Sequence, residues 1–596
     1  MLSIHFGLNK GVTGQRKSVM SQTVWMVTCL LIPLLSSAQV PVVQVRQDFS
    51  RDPGWIGFQN RMTCVDCPEV FQDFGWVPPD PSGASPGRIG GRICNSRYQA
   101  YYAMPLGKPL SFKDSFSASG KLTVTGLGLR GVGYFGFFNE ARHEWRIWSS
   151  MAIRVWEEDM LGQIMVDWMS GTWMAGGFDT DIFVPTDGTT INWSLEYDPE
   201  AIIDSTWKYP KVKEYMTTAS GNASGLLDLQ KEENLFELAK KDEPSLTPEV
   251  FRNRLEELRD QGVVEYFQRH DIHRWWANGH PEEYQGKITF QVGERRPYIV
   301  FISKEIRNAP TEMNRFGVFN IQRYGESIEL YLSELVINGI EMDLTQDPHW
   351  EGRNNRATWI EPNFQSMNNF GYAQTNWAGK SPGEIGGLFW RVEAPDPHFG
   401  YYADEVGPLT LDDPISFSGK INFITGMTDA AMYFGYFNSK DYTASVSRES
   451  GESLRSGNRM GLSIADSSAV GYYFQGGAGD SNGEGVEKRG PVFVPDQKVH
   501  DFTFSYDPAA NNGVGQIRFS LDEREVILDL TPSMRQSGGL FDRFGLASVR
   551  SGGNSVEVYL DDLTYSARRS PEAKPVFHTQ GVLPVKYPKE SAGRKY

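Results

Sequence analysis

At 596 residues the chain is too long for one ordinary hydrophobic core, so two large domains are expected. A formal charge of −16 argues against a general affinity for nucleic acid or for an anionic membrane. Aromatic residues make up 13% of the chain, and 61 glycines and 33 prolines punctuate it, which suits short strands joined by turns better than long helices.

In chain order, Lys10, Arg16 and Lys17 come first, then an apolar run from Val24 to Leu35, then the small residues Ser36 and Ala38. This is the pattern of a secretory signal peptide over residues 1–38. About twelve apolar residues fall short of the roughly 20 that a membrane-spanning helix needs, so no membrane span is expected. The protein is expected to be secreted or periplasmic. Cleavage would remove Cys29 and leave Cys64, Cys67 and Cys94 in a compartment that permits disulfides.

From there the chain says nearly everything twice. The phrase from Asp48 to Arg61, DFSRDPGWIGFQNR, returns as DLTQDPHWEGRNNR from Asp343 to Arg356. SPGRIGG at Ser85 returns as SPGEIGG at Ser381, YYA at Tyr101 as YYA at Tyr401, and YFGFFN at Tyr134 as YFGYFN at Tyr433. RFGVFNIQRYGESIELYLSEL from Arg315 is answered by RFGLASVRSGGNSVEVYLDDL from Arg543. The order is preserved, so two copies of one domain are expected, over residues 45–340 and 341–567. Within them, Val556, Val558 and Leu560 alternate with Glu557, Tyr559 and Asp561, the period of a strand with one buried face. Strands of this kind separated by Gly, Asn and Asp turns predict an all-β fold of two tandem antiparallel jelly-roll sandwiches.

One stretch breaks the parallel, a helical insertion expected at about 200–285 in the first copy. Thr247 can cap a helix, Pro248 suits its first turn, and Phe251, Leu255 and Leu258 form an apolar stripe that Gly262 ends. Next comes YFQRHDIHRWWANGH, from Tyr266 to His280, which has no counterpart in the second copy. Its imidazoles, guanidiniums and indoles are the ingredients of proton abstraction beside an anionic group. His270 or His273 would serve as base, Tyr266 as acid, Arg269 or Arg274 as the cation that neutralises a carboxylate, and Trp275 and Trp276 as a stacking platform. The alternative is that this segment packs the insertion onto the sandwich. Residues common to both copies, among them Arg61, Tyr101, Tyr102, Tyr401 and Tyr402, lean structural, although a tyrosine face also suits a sugar ring and these five are counted as candidate substrate contacts.

The alternating strands, the paired YFG[FY]FN phrases and the terminal S[IV]E[LV]YL strand resemble the concanavalin A-like lectin and glucanase superfamily. The resemblance implies carbohydrate, as a polysaccharide or oligosaccharide partner, without choosing between binding and cleavage. Glucanases of that superfamily carry E-x-D-x-x-E on one strand, and its alginate-type lyases carry Q-[IV]-H and Y-F-K-A-G; neither E-x-D-x-x-E nor Q-[IV]-H occurs here, and GYYFQGG at Gly471 lacks the lysine. Two readings follow. One is a lyase cleaving a uronate-containing glycan by β-elimination, and the other a noncatalytic tandem carbohydrate-binding protein that gains from two similar sites.

Cys64 aligns with Trp359 and Cys94 with Trp390, a paired change that points to a Cys64–Cys94 disulfide, with Cys64–Cys67 as the local rival. No zinc spacing accompanies the cysteines, and neither a metal nor a cofactor is required. The acidic Gly-rich stretch from Gly476 could hold structural calcium. The basic tail, 568–596, is expected to be flexible.

Overall fold

The computed structural model describes residues 40–82, 86–141, 149–158, 161–171, 175–202, 236, 240, 244–253, 283–295, 297–360, 367–391, 399–427, 429–441, 457–467, 471–549, 553–569 and 582–586. The expected signal peptide lies outside them. No helix among the described residues is long and apolar enough to cross a membrane.

The strands build two antiparallel sandwiches. In the first, a nine-stranded sheet runs Tyr298–Ser303, Tyr284–Val292, Thr190–Asp198, Phe116–Leu127, Ser327–Ile337, Arg88–Cys94, Glu69–Val77, Arg356–Ile360, with Ile340–Glu341 beside Ser327–Ile337. Facing it, a seven-stranded sheet runs Ala175–Val184, Leu161–Met169, Ser150–Glu158, Val132–Phe138, Met313–Phe319, Tyr101–Leu110, Glu351–Arg353. The second sandwich repeats this order. Its eight-stranded sheet centres on Ser555–Arg568 between Glu384–Trp390 and Ile415–Gly426, and its seven-stranded sheet centres on Ala431–Phe437 between Leu540–Ser548 and Arg459–Ser467.

Period-2 alternation sets the cores. Ile328, Leu330 and Leu332 point inward and are fully buried while Glu329, Tyr331 and Ser333 face out. Strand Val132–Phe138 is buried on both faces. Phe135 and Phe137 join the core of the first sandwich, whereas Val132, Tyr134 and Phe138 belong to a buried cluster that continues through Phe319 and Ile321 into the core of the second. The two sandwiches are therefore packed together by apolar contact.

The repeats and the sandwiches do not share boundaries. Val42–Gln47 pairs with Ser555–Arg568, and Ile56–Phe58 with Tyr401–Thr410, so the opening of the first repeat closes the second sandwich. Ile340–Glu341, Glu351–Arg353 and Arg356–Ile360, the opening of the second repeat, pair with strands of the first sandwich. The contacts match in detail. Trp55 packs against Tyr402 and Trp350 against Tyr102, and those two tyrosine hydroxyls donate to Asp52 at 3.1 Å and to Asp347 at 3.2 Å. The Asn60 side-chain amide donates to the Phe370 carbonyl as that of Asn355 does to the Phe74 carbonyl. The first sandwich is thus continuous in sequence and sits between two parts of the second.

This arrangement overturns the expected Cys64–Cys94 disulfide. The bond is Cys64–Cys67, with Cα atoms 5.6 Å apart, and Cys94 is buried outside that bond, its thiol donating to the Phe71 carbonyl. The pairing assumed that Trp359 and Trp390 meet within one sandwich. Trp359 lies on Arg356–Ile360 in the first sandwich and Trp390 on Glu384–Trp390 in the second. Cys64 stands instead on Met62–Cys64, which pairs in parallel with Leu583–Val585. Of the expected tail, residues 568–569 and 582–586 are described, and Val585 is buried beside Met62 and Met367. Of the expected insertion, residues 248–253 are helical, with the Thr247 hydroxyl accepting from the Val250 N–H and Phe251 buried.

Candidate functional site

Tyr266, Arg269, His270, His273, Arg274, Trp275 and Trp276 lie outside the described residues. The four candidate tyrosines are placed in the interior. Tyr101, Tyr102, Tyr401 and Tyr402 are each at least nine-tenths buried: Tyr102 and Tyr402 pack on the two closing tryptophans, Tyr101 meets Phe138 edge-on, and Tyr401 stacks on Phe58. Arg61 donates to Asn369 Oδ1 and to the Tyr372 carbonyl. The four tyrosines expose no aromatic face to a sugar, because the exchanged segments cover them, while Arg61 is part-buried on the exchanged segment itself.

The acidic stretch from Gly476 is a tight turn. Asp480 Oδ1 accepts the N–H groups of Asn482 and Glu484, and Glu484 Oε1 accepts the hydroxyls of Thr531 and Ser533. Among the described residues no group of three or more His, Cys, Asp or Glu side chains is arranged to hold a metal ion.

A different cluster stands where the first sandwich meets the second. It is carried by the turn before Val132–Phe138, by the neighbouring strands, and by loop 320–326, which follows Met313–Phe319. Arg154, on Ser150–Glu158, is buried with Nε 3.4 Å from Asp167 Oδ2, and Asp167 also accepts the Tyr134 hydroxyl at 2.8 Å. The Arg154 guanidinium lies 5.4 Å from the centre of the Trp156 ring, and that of Arg130 lies 6.0 Å from the Tyr324 ring. Tyr324 in turn reaches the second sandwich, where its N–H donates to Asn554 Oδ1 and its ring meets Trp390 edge-on.

Arg323 completes the group. It forms no ion pair or hydrogen bond among the described residues, and its Nε is buried without a partner. Burial pushes its guanidinium down to about 10, and the neighbouring Arg154 and Arg130 push the same way, against weaker help from Tyr134 and from Asp429 of the second sandwich. Gln322 Oε1 and both polar atoms of the Gln99 side chain are likewise buried and unpaired among the described residues. Polar groups left in this state cost free energy: the N–H groups of Arg323 and Gln99 call for an acceptor, and the two amide oxygens for a donor such as a hydroxyl. A planar, half-desolvated guanidinium among others is built for a carboxylate or sulfate, with Trp156 and Tyr324 as flanking aromatic faces.

The second copy keeps Tyr433 in the place of Tyr134 but lacks the charged and indole members of the set. Asp429 holds the place of Arg130, each with a positive φ, and in matching register Ser463, Ala465 and Gly477 stand for Arg154, Trp156 and Asp167. In the aligned sequence Ser551 stands for Arg323. A residue-by-residue comparison of the two RFG phrases already contains the signal, RYGES against SGGNS.

No family model matches the chain, and no curated protein matches it. Among solved structures it is similar to the mouse laminin alpha1 chain, domains LG4-5, at 9% identity over 87% of this chain and 97% of that one, with a TM-score of 0.21. It is also similar to the LG1-3 region of the laminin alpha2 chain (8% identity, 81% and 59% covered, TM-score 0.17) and to the binding domain of botulinum neurotoxin DC in complex with SialylT (6%, 83% and 93%, 0.19). At TM-scores of this size the site has to be read from its own residues.

Proposed function

We propose that this is an exported, noncatalytic carbohydrate-binding protein whose ligand is an acidic glycan, held at the junction of the sandwiches by Arg323, Arg154 and Arg130. The observation that carries this reading is the Arg323 guanidinium, withdrawn from water, beside two other guanidiniums and with no ion pair of its own among the described residues. Arg154 already has Asp167, which fixes it in place, so Arg323 is the group left to take an incoming carboxylate or sulfate. Trp156 and Tyr324 would lie along the apolar faces of the sugar rings. Binding is favoured over cleavage because this site offers cations and aromatic faces, whereas the residues assigned to β-elimination all belong to Tyr266–His280.

The test is retention of the full chain on alginate, pectate and glucuronan against a neutral glucan, with the ultraviolet absorbance of eliminated uronate followed in parallel. Retention on an acidic glycan without a rise in absorbance is expected. Arg323→Ser, which installs the residue of the second copy, should weaken binding about tenfold to a hundredfold, the range of one charged hydrogen-bonded contact. Equal retention on neutral glucan, or unchanged affinity in the variant, defeats the proposal, and a rise in absorbance restores the lyase reading.

A further inference from the structure

A second group of polar residues lies away from the arginine junction, on the outer face of the eight-stranded sheet of the second sandwich. Glu384 and Leu560 begin the argument. Ile385 pairs with Leu560, so one step further along this antiparallel register Glu384 comes opposite Asp561. Both carboxylates are buried, at 0% and 4% exposure. Like charges directly opposite on neighbouring strands repel, and burial strengthens the repulsion. The cation in register with Asp561 is Lys420, but its ammonium is committed to Asp562.

The third member is Asn422, on the same face of Ile415–Gly426 as Lys420, and 2% exposed. Its side-chain amide donates to the Trp377 carbonyl at 2.8 Å, while Glu384 accepts the Trp377 N–H at 2.9 Å and the Ala378 N–H at 2.7 Å. Asn422 and Glu384 therefore grip the same peptide from its two sides. Asn422 stands opposite Tyr559, the neighbour of Asp561 on the same face of its strand, and its Oδ1 is buried with no donor among the described residues. The turn that they hold passes directly over Asp561: a Cβ added at Gly379 would fall 1.7 Å from Asp561 Oδ2. Two buried carboxylates and an amide oxygen that lacks a donor share one need, a small positive charge that prefers oxygen.

The matching positions of the first sandwich show the difference. There Arg88 replaces Glu384, Ser333 replaces Asp561 and Thr123 replaces Asn422, in the same register. Arg88 stacks on Tyr331 with its guanidinium 3.9 Å from the ring centre, so that copy supplies its own cation.

We propose that Glu384, Asp561 and Asn422 form a site for one hard divalent cation of the calcium class, which fastens the Trp377 turn onto the sheet. The site is separate from the glycan reading and stands or falls without it. The experiment uses the full chain stripped with chelator and titrated with calcium chloride by calorimetry, and with terbium read by emission sensitised through the partly exposed Trp377. One site is expected, with sensitised emission that calcium displaces and that Trp377→Phe removes. Asn422→Thr and Asp561→Ser, each the residue of the first copy, should weaken binding by about tenfold or more. No heat and no sensitised emission in the wild-type chain overturns the proposal. So does unchanged affinity in Asn422→Thr, or a Trp377 fluorescence that answers to pH alone and not to calcium, which would make the pair a shared-proton site.

Discussion

Trp55 and Trp350 occupy the same place in two copies of one phrase, and each seals a sandwich by covering a tyrosine whose hydroxyl is held by an aspartate. The difference lies in how the chain delivers them. Trp350 comes after the strands of the sandwich that it closes, whereas Trp55 comes before its own, with the whole first sandwich made in between. Both closures are long-range, 245 residues separating Asp347 from Tyr102 and 350 separating Asp52 from Tyr402, so their entropic costs differ by only about 0.3 kcal/mol. The burial differs more. Trp55 touches Phe49, Tyr402, Phe544 and Tyr565 at 3% exposure, while Trp350 stacks on Tyr102 at 8%. The lesson is that equal words in the sequence need not be equal in energy.

The sharpest way to break this comparison is to remove the two indoles separately. Trp55→Ala should cost about 3–5 kcal/mol and release the second sandwich at lower denaturant, with Trp350→Ala toward the bottom of that range. Chemical denaturation followed by tryptophan emission measures both. Equal losses would mean that the extra rings around Trp55 add nothing.

A smaller effect separates the two aspartates. Burial first, and then the facing carboxylate, push the Tyr102 hydroxyl up to about 12, and the same causes push that of Tyr402 higher still. Both hydroxyls are donors that need their acceptor. Asp52→Ala should therefore cost about 1.5–3 kcal/mol by leaving a fully buried hydroxyl unpaired, and Asp347→Ala less, because Tyr102 keeps more contact with water. Thermal unfolding of the two variants checks the order, and a larger loss from Asp347→Ala would reverse the comparison.

Much of the fold was legible because the strands alternate. Val556, Val558 and Leu560 fall inward as their period requires, and the repeated phrases mark equivalent strands. What the phrases could not say is which sandwich each would join, since Val42–Gln47 and Ile340–Glu341 are alike and pairing partners are a property of three-dimensional register. The Cys64–Cys94 expectation failed on that point alone. The candidate site was legible in a different way. The rule that residues present in one copy are freer to act points first to the insertion, where the difference is longest. Arg130, Arg154 and Arg323 are single substitutions on shared strands and loops, and only their convergence in space, from segments far apart in sequence, makes them a group.

The least of these differences concerns His500, where the first copy has Ile191. Its ring nitrogens face Asp522 at 2.8 Å and Asp496 at 3.3 Å, Lys498 stands 3.8 Å from Asp496, and Phe493 packs edge-on. The hydrogen bond to Asp496 leads the causes that raise the imidazole above its ordinary value, against burial. A raised value means that the charged form is favoured in the folded state, so the contribution is complete below the ordinary histidine range and disappears as pH climbs through the raised value. The pair is partly exposed, so the gain should stay under about 1 kcal/mol. His500→Gln should flatten the stability profile of the second sandwich across neutral pH and leave that of the first unchanged; a profile that keeps its slope in the variant would place the titrating group elsewhere.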